Sequence, residues 1–241
     1  MVSDLALMTG IDIPIVECQL ILHQPKIKEI ALIGESHFFT AVQCLCLSKT
    51  SFIEDESLLN STSNFQIFMT VMSSEEAVEK KKDVLQLLTL LFPQYKIILT
   101  PRSILFNGND SQSMIDESNF DIFQTVARKI FCTSSSPMDQ TTFNPADKKA
   151  EEIAAKLMKA RQRVAEQNGS AGSSVFSQYL SILTVGLSSM SISDLMNLTM
   201  YQLYDLIERY MLFTNWDMDI RSRLAGGKPD SKPDNWMKNI H

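Results

Sequence analysis

The chain has 241 residues, of which 44% are hydrophobic and 21% charged, and its formal net charge is -6. A chain of this length and composition can bury a substantial core, so we expect a folded protein of one large or two small domains. The acidic balance lacks the electropositive surface that nonspecific nucleic-acid binding needs, so we expect no nucleic-acid partner.

The cysteines and the N-terminus indicate the compartment. Cys18, Cys44, Cys46 and Cys132 are too few and too scattered for a disulfide framework, which favours a reducing, cytosolic setting. The start of the chain has an acid at Asp4 and no basic segment, and no apolar run reaches the ~18 residues of a membrane span. We therefore expect a soluble, unprocessed protein with no membrane partner.

The first part of the chain alternates short strand and helix patterns. Branched residues and a proline at 11–22 predict an extended entry and a strand. Helical spacing at 26–49, broken at Gly34, predicts a short helix, a turn and a second helix. The run FQIFMTVM, Phe65–Met72, is predicted as a second strand.

A helix is predicted next at 73–93, with Ser74 as its cap and a proline just beyond its end. Residues 95–110 predict two strands joined near Pro101, or a strand and a turn, and residues 116–132 predict another helix. Helices and strands thus alternate throughout this part of the chain, which indicates a mixed α/β region.

A polar, proline-containing stretch then changes the composition and predicts a boundary. We expect an α+β protein with a mixed α/β N-terminal domain and a mainly helical C-terminal region. The predicted parts are a domain at 1–132, a linker at 133–145, an amphipathic helix at 146–167, a second linker at 168–174 and the helical region at 175–241.

The last long helix has clear signals at both ends. Thr199 and Gln202 form a capping-box pair, so the helix should begin at Met200. Gly226 and Gly227 can adopt the left-handed conformation that ends helices, so the helix should stop before them.

Residues suited to catalysis or metal binding are scarce. Glu35, Ser36 and His37 are neighbours in sequence, which does not make side chains converge, and no glycine-rich phosphate loop is present. Cys44 and Cys46 point to different helix faces, so they cannot bind one metal without further ligands. We expect no catalytic residue, cofactor or metal. The alternative is an enzyme with a site near Glu35 and His37.

The long C-terminal helix carries more apolar surface than one stripe can bury. Such a helix is either central to its own domain or covered by another chain. One face could fill a core with Leu203, Ile207, Tyr210, Met211 and Leu224. The other faces supply the candidate partner-binding residues Tyr201, Tyr204, Phe213 and Trp216.

The predicted amphipathic helix at 146–167 is rich in lysine and arginine and has a linker on each side. A solvated amphipathic helix, docking onto a partner protein and nucleic-acid binding are all compatible with this pattern. Its apolar stripe adds Leu157 and Met158 to the candidate partner-binding residues.

Four segments, taken in order, resemble one class of phage protein. They are HQPKIKEIALIGESHFF, NPADKKAEEIAAKLMKAR, YLSILTVGLSSMSISDLMNLTMYQLYDLIERY and LAGGKPDSKPDNWMKNIH. Their order, and an ending of helix, Ala-Gly-Gly, polar stretch and Asp-x-Trp-Met, resembles the tail assembly chaperone-like and virion-assembly proteins of tailed bacteriophages.

The resemblance implies a non-enzymatic protein of the host cytoplasm. Such a protein would bind other phage proteins, such as the tape measure or the tail tube, while the tail is built. The alternative within the same resemblance is a structural virion component, for example a connector, tail or baseplate protein. Homo-oligomerisation stays open in both cases.

Overall fold

A computed structural model describes residues 2–49, 61–74, 77–108, 112–133, 174–226, 235–238 and 240. The predicted amphipathic helix at 146–167, with Leu157 and Met158, lies outside these residues. So do the two predicted linkers, apart from Thr133 and Ser174.

The chain begins with a short helix and a hairpin. Helix α1, Asp4–Thr9, is capped by Ser3, whose hydroxyl accepts from the backbone of the first turn. Strands β1, Ile13–Ile15, and β2, Leu20–Leu22, pair antiparallel around the 3-10 turn Val16–Cys18. Alternate residues of both strands are buried, so the predicted strand is confirmed as a two-stranded hairpin with one face on the core.

Two helices follow, as predicted. Helix α2, Ile27–Ile33, ends at Gly34, and helix α3, Glu35–Leu45, begins directly after it. Gly34 has a φ of 90°, a backbone conformation that side-chain-bearing residues rarely adopt, so the break between the helices depends on glycine.

The predicted strand at Phe65–Met72 is wrong, because this segment forms helix α4, Asn64–Ser73. Ser63 caps the helix and accepts from the backbone N–H of Gln66, whose side chain returns to the backbone of Ser63. An aromatic and branched run suits a strand, but here the capping box and a helical stripe decide the structure. The buried stripe is Phe65, Phe68 and Met72.

Helix α5, Val78–Leu91, begins after Ala77 and not at the predicted Ser74 cap. Ser74 instead closes α4, with its N–H directed to the carbonyl oxygen of Val71 at 3.4 Å. Because the preceding segment is a helix, its end uses the serine that the sequence pattern assigned to the next helix.

A three-stranded antiparallel sheet follows in the order β3, Lys96–Thr100, β4, Ser103–Asn107, and β5, Gln112–Ile115. The first two strands were predicted, and the third was not. On β4, Ile104 and Phe106 are fully buried, so the sheet covers the core with one face. Helix α6, Phe120–Ile130, confirms the predicted helix and adds a buried stripe of its own.

The C-terminal region is helical, as predicted. It contains α7, Val175–Gly186, α8, Ile192–Met196, and α9, Met200–Leu224. The hydroxyl of Thr199 accepts from the N–H of Gln202, whose side chain accepts from the N–H of Thr199 at 2.8 Å, so both capping-box bonds form. The helix ends just before Gly226, which has a φ of 90°.

The N-terminal α/β region and the helical region pack into one core. The ring of Phe38 lies 5.5 Å from that of Phe131 and 6.2 Å from that of Phe176. The N–H of Ile27 donates to the carbonyl of Leu198 at 2.9 Å. The start of the helical region therefore completes the core of the α/β region. Among the described helices, none has the length and apolar character to cross a membrane.

Candidate interaction surface

Helix α9 leaves the core partway along its length. Its buried residues, Met200, Tyr201, Leu203 and Ile207, all lie in the first two to three turns. From residue 208 to its end, no residue of the helix is buried. This distal half, residues 208–224, is about 25 Å long at 1.5 Å per residue. The helix thus joins a buried segment to one whose residues are half-buried or exposed.

Ion pairs support the distal half where the core no longer does. Nε of Arg221 lies 2.8 Å from Oδ2 of Asp217, and Nε of Arg223 lies 3.0 Å from Oδ2 of Asp219. Both pairs have the i, i+4 spacing, which stabilises a helix by about 0.3–0.5 kcal/mol for each exposed pair.

Apolar side chains continue along this distal half. Met211 and Met218 are each 57% exposed, and Leu224 is 83% exposed. Residues seven apart return to nearly the same face of a helix, so Met211 and Met218 extend the stripe that Met200 and Ile207 begin. The core-facing stripe therefore runs past the body of the protein and is uncovered at its end.

A second face of the distal half carries an aromatic cluster. The ring of Phe213 lies 5.9 Å from that of Trp216 and 5.3 Å from that of Trp236, and the two indoles are 6.3 Å apart. Arg209 holds the tail in place, because its Nη1 donates to the carbonyl oxygens of Trp236 and Lys238, both at 2.8 Å. The chain's own tail thus covers part of this face, while Phe213 is still 43% exposed.

The two other predicted partner-binding aromatics are packed inside the protein. Tyr201 is only 5% exposed, and burial, with smaller contributions from nearby carboxylates, raises its pKa to about 12. Tyr204 is half-buried in an edge contact with Tyr179 at 5.6 Å between ring centres, and burial also raises its pKa. Tyr201 is therefore a core residue and not an outward anchor, which corrects its assignment to the outer faces.

The predicted core face of α9 needs a matching correction. Leu203 and Ile207 are buried and Tyr210 is half-buried, but Met211 and Leu224 are exposed. The spacing of apolar residues identified the face of α9 that is buried. It could not show where along the helix the neighbouring elements stop covering that face. The one available signal was length, since a helix of about 38 Å exceeds what a small helical region can enclose.

Tyr210 marks the point where α9 leaves the body. A Cβ atom added at Gly186, at the end of α7, would lie 2.3 Å from Cζ of the Tyr210 ring. This distance is far below van der Waals contact, so the ring can lie against α7 only because position 186 has no side chain.

Glu35 and His37, the residues of the enzyme alternative, have separate structural partners. Glu35 accepts hydrogen bonds from the hydroxyl of Ser174 and from the N–H of Val175, the latter at 2.7 Å, and so caps α7. Nδ1 of His37 lies 3.1 Å from Oδ1 of Asp83, a buried residue of α5. Each side chain therefore links α3 to a different helix, Glu35 to α7 and His37 to α5.

The thiols of the described cysteines are all poorly suited to nucleophilic chemistry. Burial raises the pKa of Cys18 and Cys46 to about 11 and that of Cys132 to about 12, and it also raises the pKa of Cys44. A thiol with a raised pKa stays protonated near neutral pH. Within the described parts of the chain, no group of three or more His, Cys, Asp or Glu residues could hold a metal ion.

Comparison with known families relates the helical region to bacteriophage proteins. Residues 169–241 match the model of the YomV second domain, a phage-derived family. The match spans α7, α8, α9 and the tail with Trp236, and therefore includes the whole distal half. No curated protein and no solved structure matched the chain.

Proposed function

We propose that this protein is a non-enzymatic phage protein that binds other phage proteins during tail assembly, and that it does so through the distal half of α9. The partner would be a tail protein such as the tape measure or the tail tube. Binding would take place in the host cytoplasm, where the tail is built.

One observation carries the proposal. The apolar stripe of α9 continues for about three turns after its last buried residue, Ile207, through the exposed Met211 and Met218. Exposing large apolar side chains on a helix costs free energy, which binding of a partner would recover by removing their surface from water. The phage-derived family match covers this segment, which supports a phage protein as the partner.

The side chains of the distal half are suited to binding partner proteins during assembly. Met211 and Met218 are flexible and polarisable, so they adapt to partner surfaces of different shape. Phe213 and Trp216 provide larger and more rigid contacts on the second face of the same segment, and aromatic residues of this kind often dominate binding free energy. A chaperone needs such a surface, because its partner is bound before it reaches its final structure.

The test is co-expression of the full chain with the tape measure and tail tube proteins encoded by the same phage. We expect the chain to co-purify with one of them and to keep it soluble. Met218→Glu should weaken co-purification by at least about tenfold, because a buried charge disrupts an apolar contact. Gln43→Glu adds the same charge at an exposed polar position of another helix, α3, and should leave binding unchanged.

Equal binding by Met218→Glu and Gln43→Glu would refute the role of the distal half. Mass spectrometry of purified particles separates the chaperone from the structural alternative. A chaperone should be absent from the finished virion, whereas a connector, tail or baseplate component should be present in fixed copy number.

A further inference from the structure

Helix α5 has two stripes, and only one of them faces the core. The inner stripe, which includes Val84, Leu87, Leu88 and Leu91, is fully buried. The outer stripe lines a groove of about 690 Å³. Its positions follow helical i, i+3, i+4, i+7 spacing and consist of Val78, Lys81, Lys82, Leu85, Gln86, Thr89 and Leu90.

Helix α2 forms the other wall of this groove. Its contribution includes Leu32 and Ile33, and His23 and Glu29 also line the groove. Leu32 is 88% exposed and Val78 is 71% exposed, although both are large apolar residues. Two such exposed side chains lining one groove give it apolar surface, which on a monomer often marks a binding site.

The groove is positively charged on a chain that is acidic overall. Lys81 and Lys82 are exposed, and no described carboxylate forms an ion pair with either of them. Glu29 is already engaged, because its Oε2 accepts from the backbone N–H of Lys26 at 2.8 Å and lies 3.2 Å from Nε2 of His23. Burial by itself would raise the pKa of Glu29. The hydrogen bonds from Lys26 and His23 have the opposite effect and prevail, so the pKa of Glu29 is lowered.

The groove has the dimensions of a helix site. From Val78 to Leu90 the outer stripe extends about 18 Å, or a little more than three helical turns. Two packed helices with an apolar valley between them bind a third helix through anchors at i, i+3, i+4 and i+7. The paired lysines would favour acidic residues beside those anchors.

We infer that the groove between α2 and α5 binds an amphipathic helix of a partner protein, with an apolar stripe flanked by acidic residues. Leu32, Val78, Leu85 and Leu90 would contact the apolar stripe, and Lys81 and Lys82 would pair with the acids. This groove lies on different helices from the distal half of α9, so the inference does not rest on the proposed function.

The experiment measures binding of two synthetic peptides to the full chain by fluorescence anisotropy. Each peptide has about 18 residues, enough for five helical turns, with leucines at i, i+3, i+4 and i+7. One carries glutamates at the flanking positions, and the other carries lysines in their place. We expect the glutamate peptide to bind at least about tenfold more tightly.

Variants then assign the binding to the groove. Leu32→Asp should weaken binding of the glutamate peptide about tenfold, because it removes an apolar anchor and adds a repulsive charge. Leu5→Asp is the matched control, since Leu5 is 74% exposed on α1 and does not line the groove. The double variant Lys81→Glu with Lys82→Glu should reverse the preference in favour of the lysine peptide.

Circular dichroism of each variant verifies that the fold is intact. The inference is overturned if neither peptide binds saturably, if both bind equally, or if Leu32→Asp and Leu5→Asp behave alike. Displacement of the glutamate peptide by phosphatidylserine vesicles, with vesicle binding lost in Leu32→Asp, would also overturn it in favour of a lipid surface. Met218→Glu should leave peptide binding unchanged, so failure here and failure of the proposed function are distinguishable.

Discussion

The two halves of α9 have similar residues and opposite surroundings. The proximal half, Met200–Ile207, contributes four buried side chains to the core. The distal half contributes none, although it contains methionine, leucine, phenylalanine and tryptophan. Apolar periodicity therefore indicates which face of a helix can be buried. The neighbouring elements determine how far along the helix that burial extends.

The start of α9 is fixed by elements from the beginning of the sequence. Nε2 of Gln202 donates to the carbonyl of Met8 at 2.6 Å, and a bridge joins Thr199 to Lys26. No comparable contact with the N-terminal region is described for the distal half, whose partner is the tail at 235–238. Apart from Tyr210, which lies against α7, the distal half has described contacts mainly with this tail, so its exposed side chains are available to another protein.

Truncation should give the largest difference between the halves. A chain that ends at residue 199 loses Met200, Tyr201, Leu203 and Ile207, and each large buried side chain contributes about 2–5 kcal/mol. The sum of about 8–20 kcal/mol is as large as the ~5–15 kcal/mol stability of a typical domain, so this fragment should not fold. A chain that ends at residue 214 keeps all four and should melt cooperatively, within several degrees of the parent. Thermal melts followed by circular dichroism test both, and a cooperative melt of the shorter fragment would contradict the shared core.

Single substitutions should repeat this contrast on a smaller scale. Leu203→Ala leaves a cavity in the core and should lower the free energy of unfolding by about 2–5 kcal/mol. Met211→Ala changes a side chain that is 57% exposed and should lower it by less than about 0.5 kcal/mol. Urea denaturation measures both values. Equal losses would show that the distal half is buried in solution, for example by a second copy.

The junction between the halves should be sensitive to the volume at position 186. Gly186→Ala places a methyl group against the Tyr210 ring and should cost about 1–2 kcal/mol, because the ring must move out of its contact with α7. Tyr210→Leu in the same chain should recover part of this loss, since it removes the atoms that clash. Additive losses in the double-mutant cycle would refute the direct contact.

The smallest effect should come from the tail. Arg209→Lys removes the forked pair of hydrogen bonds to Trp236 and Lys238 and should cost about 1 kcal/mol or less. The chain's two tryptophans, Trp216 and Trp236, both belong to the cluster, so their emission should shift to the red as the tail loosens. Arg221→Lys affects only an exposed helical pair and should leave the emission unchanged. A red shift of equal size in both variants would mean that Arg209 does not hold the tail.

Local sequence determined the ends of several elements correctly. The capping box at Thr199 and Gln202, the break at Gly34 and the stop at Gly226 all form as predicted. Each depends on hydrogen bonds between residues a few positions apart, or on a backbone conformation that one glycine permits. These features need no information from distant parts of the chain.

Two elements show where local pattern was insufficient. The run at Phe65–Met72 satisfied both a strand and a helix pattern, and it became a helix whose Phe68 packs against Phe120 at 5.2 Å between ring centres. Ser74 then closed that helix and did not begin the next one. A wrong assignment of one element thus moved the boundary of its neighbour.

The sequence by itself determined that α9 exists, where it begins and ends, and that its apolar residues exceed one core stripe. Only the tertiary structure decided which of them are covered, placing Tyr201 in the core and leaving Met211 and Met218 in solvent. The physical reason is that burial requires contact with residues distant in sequence. Gln202, for example, donates to the carbonyl of Met8 in α1, and nothing in the spacing of α9 encodes where such partners stop.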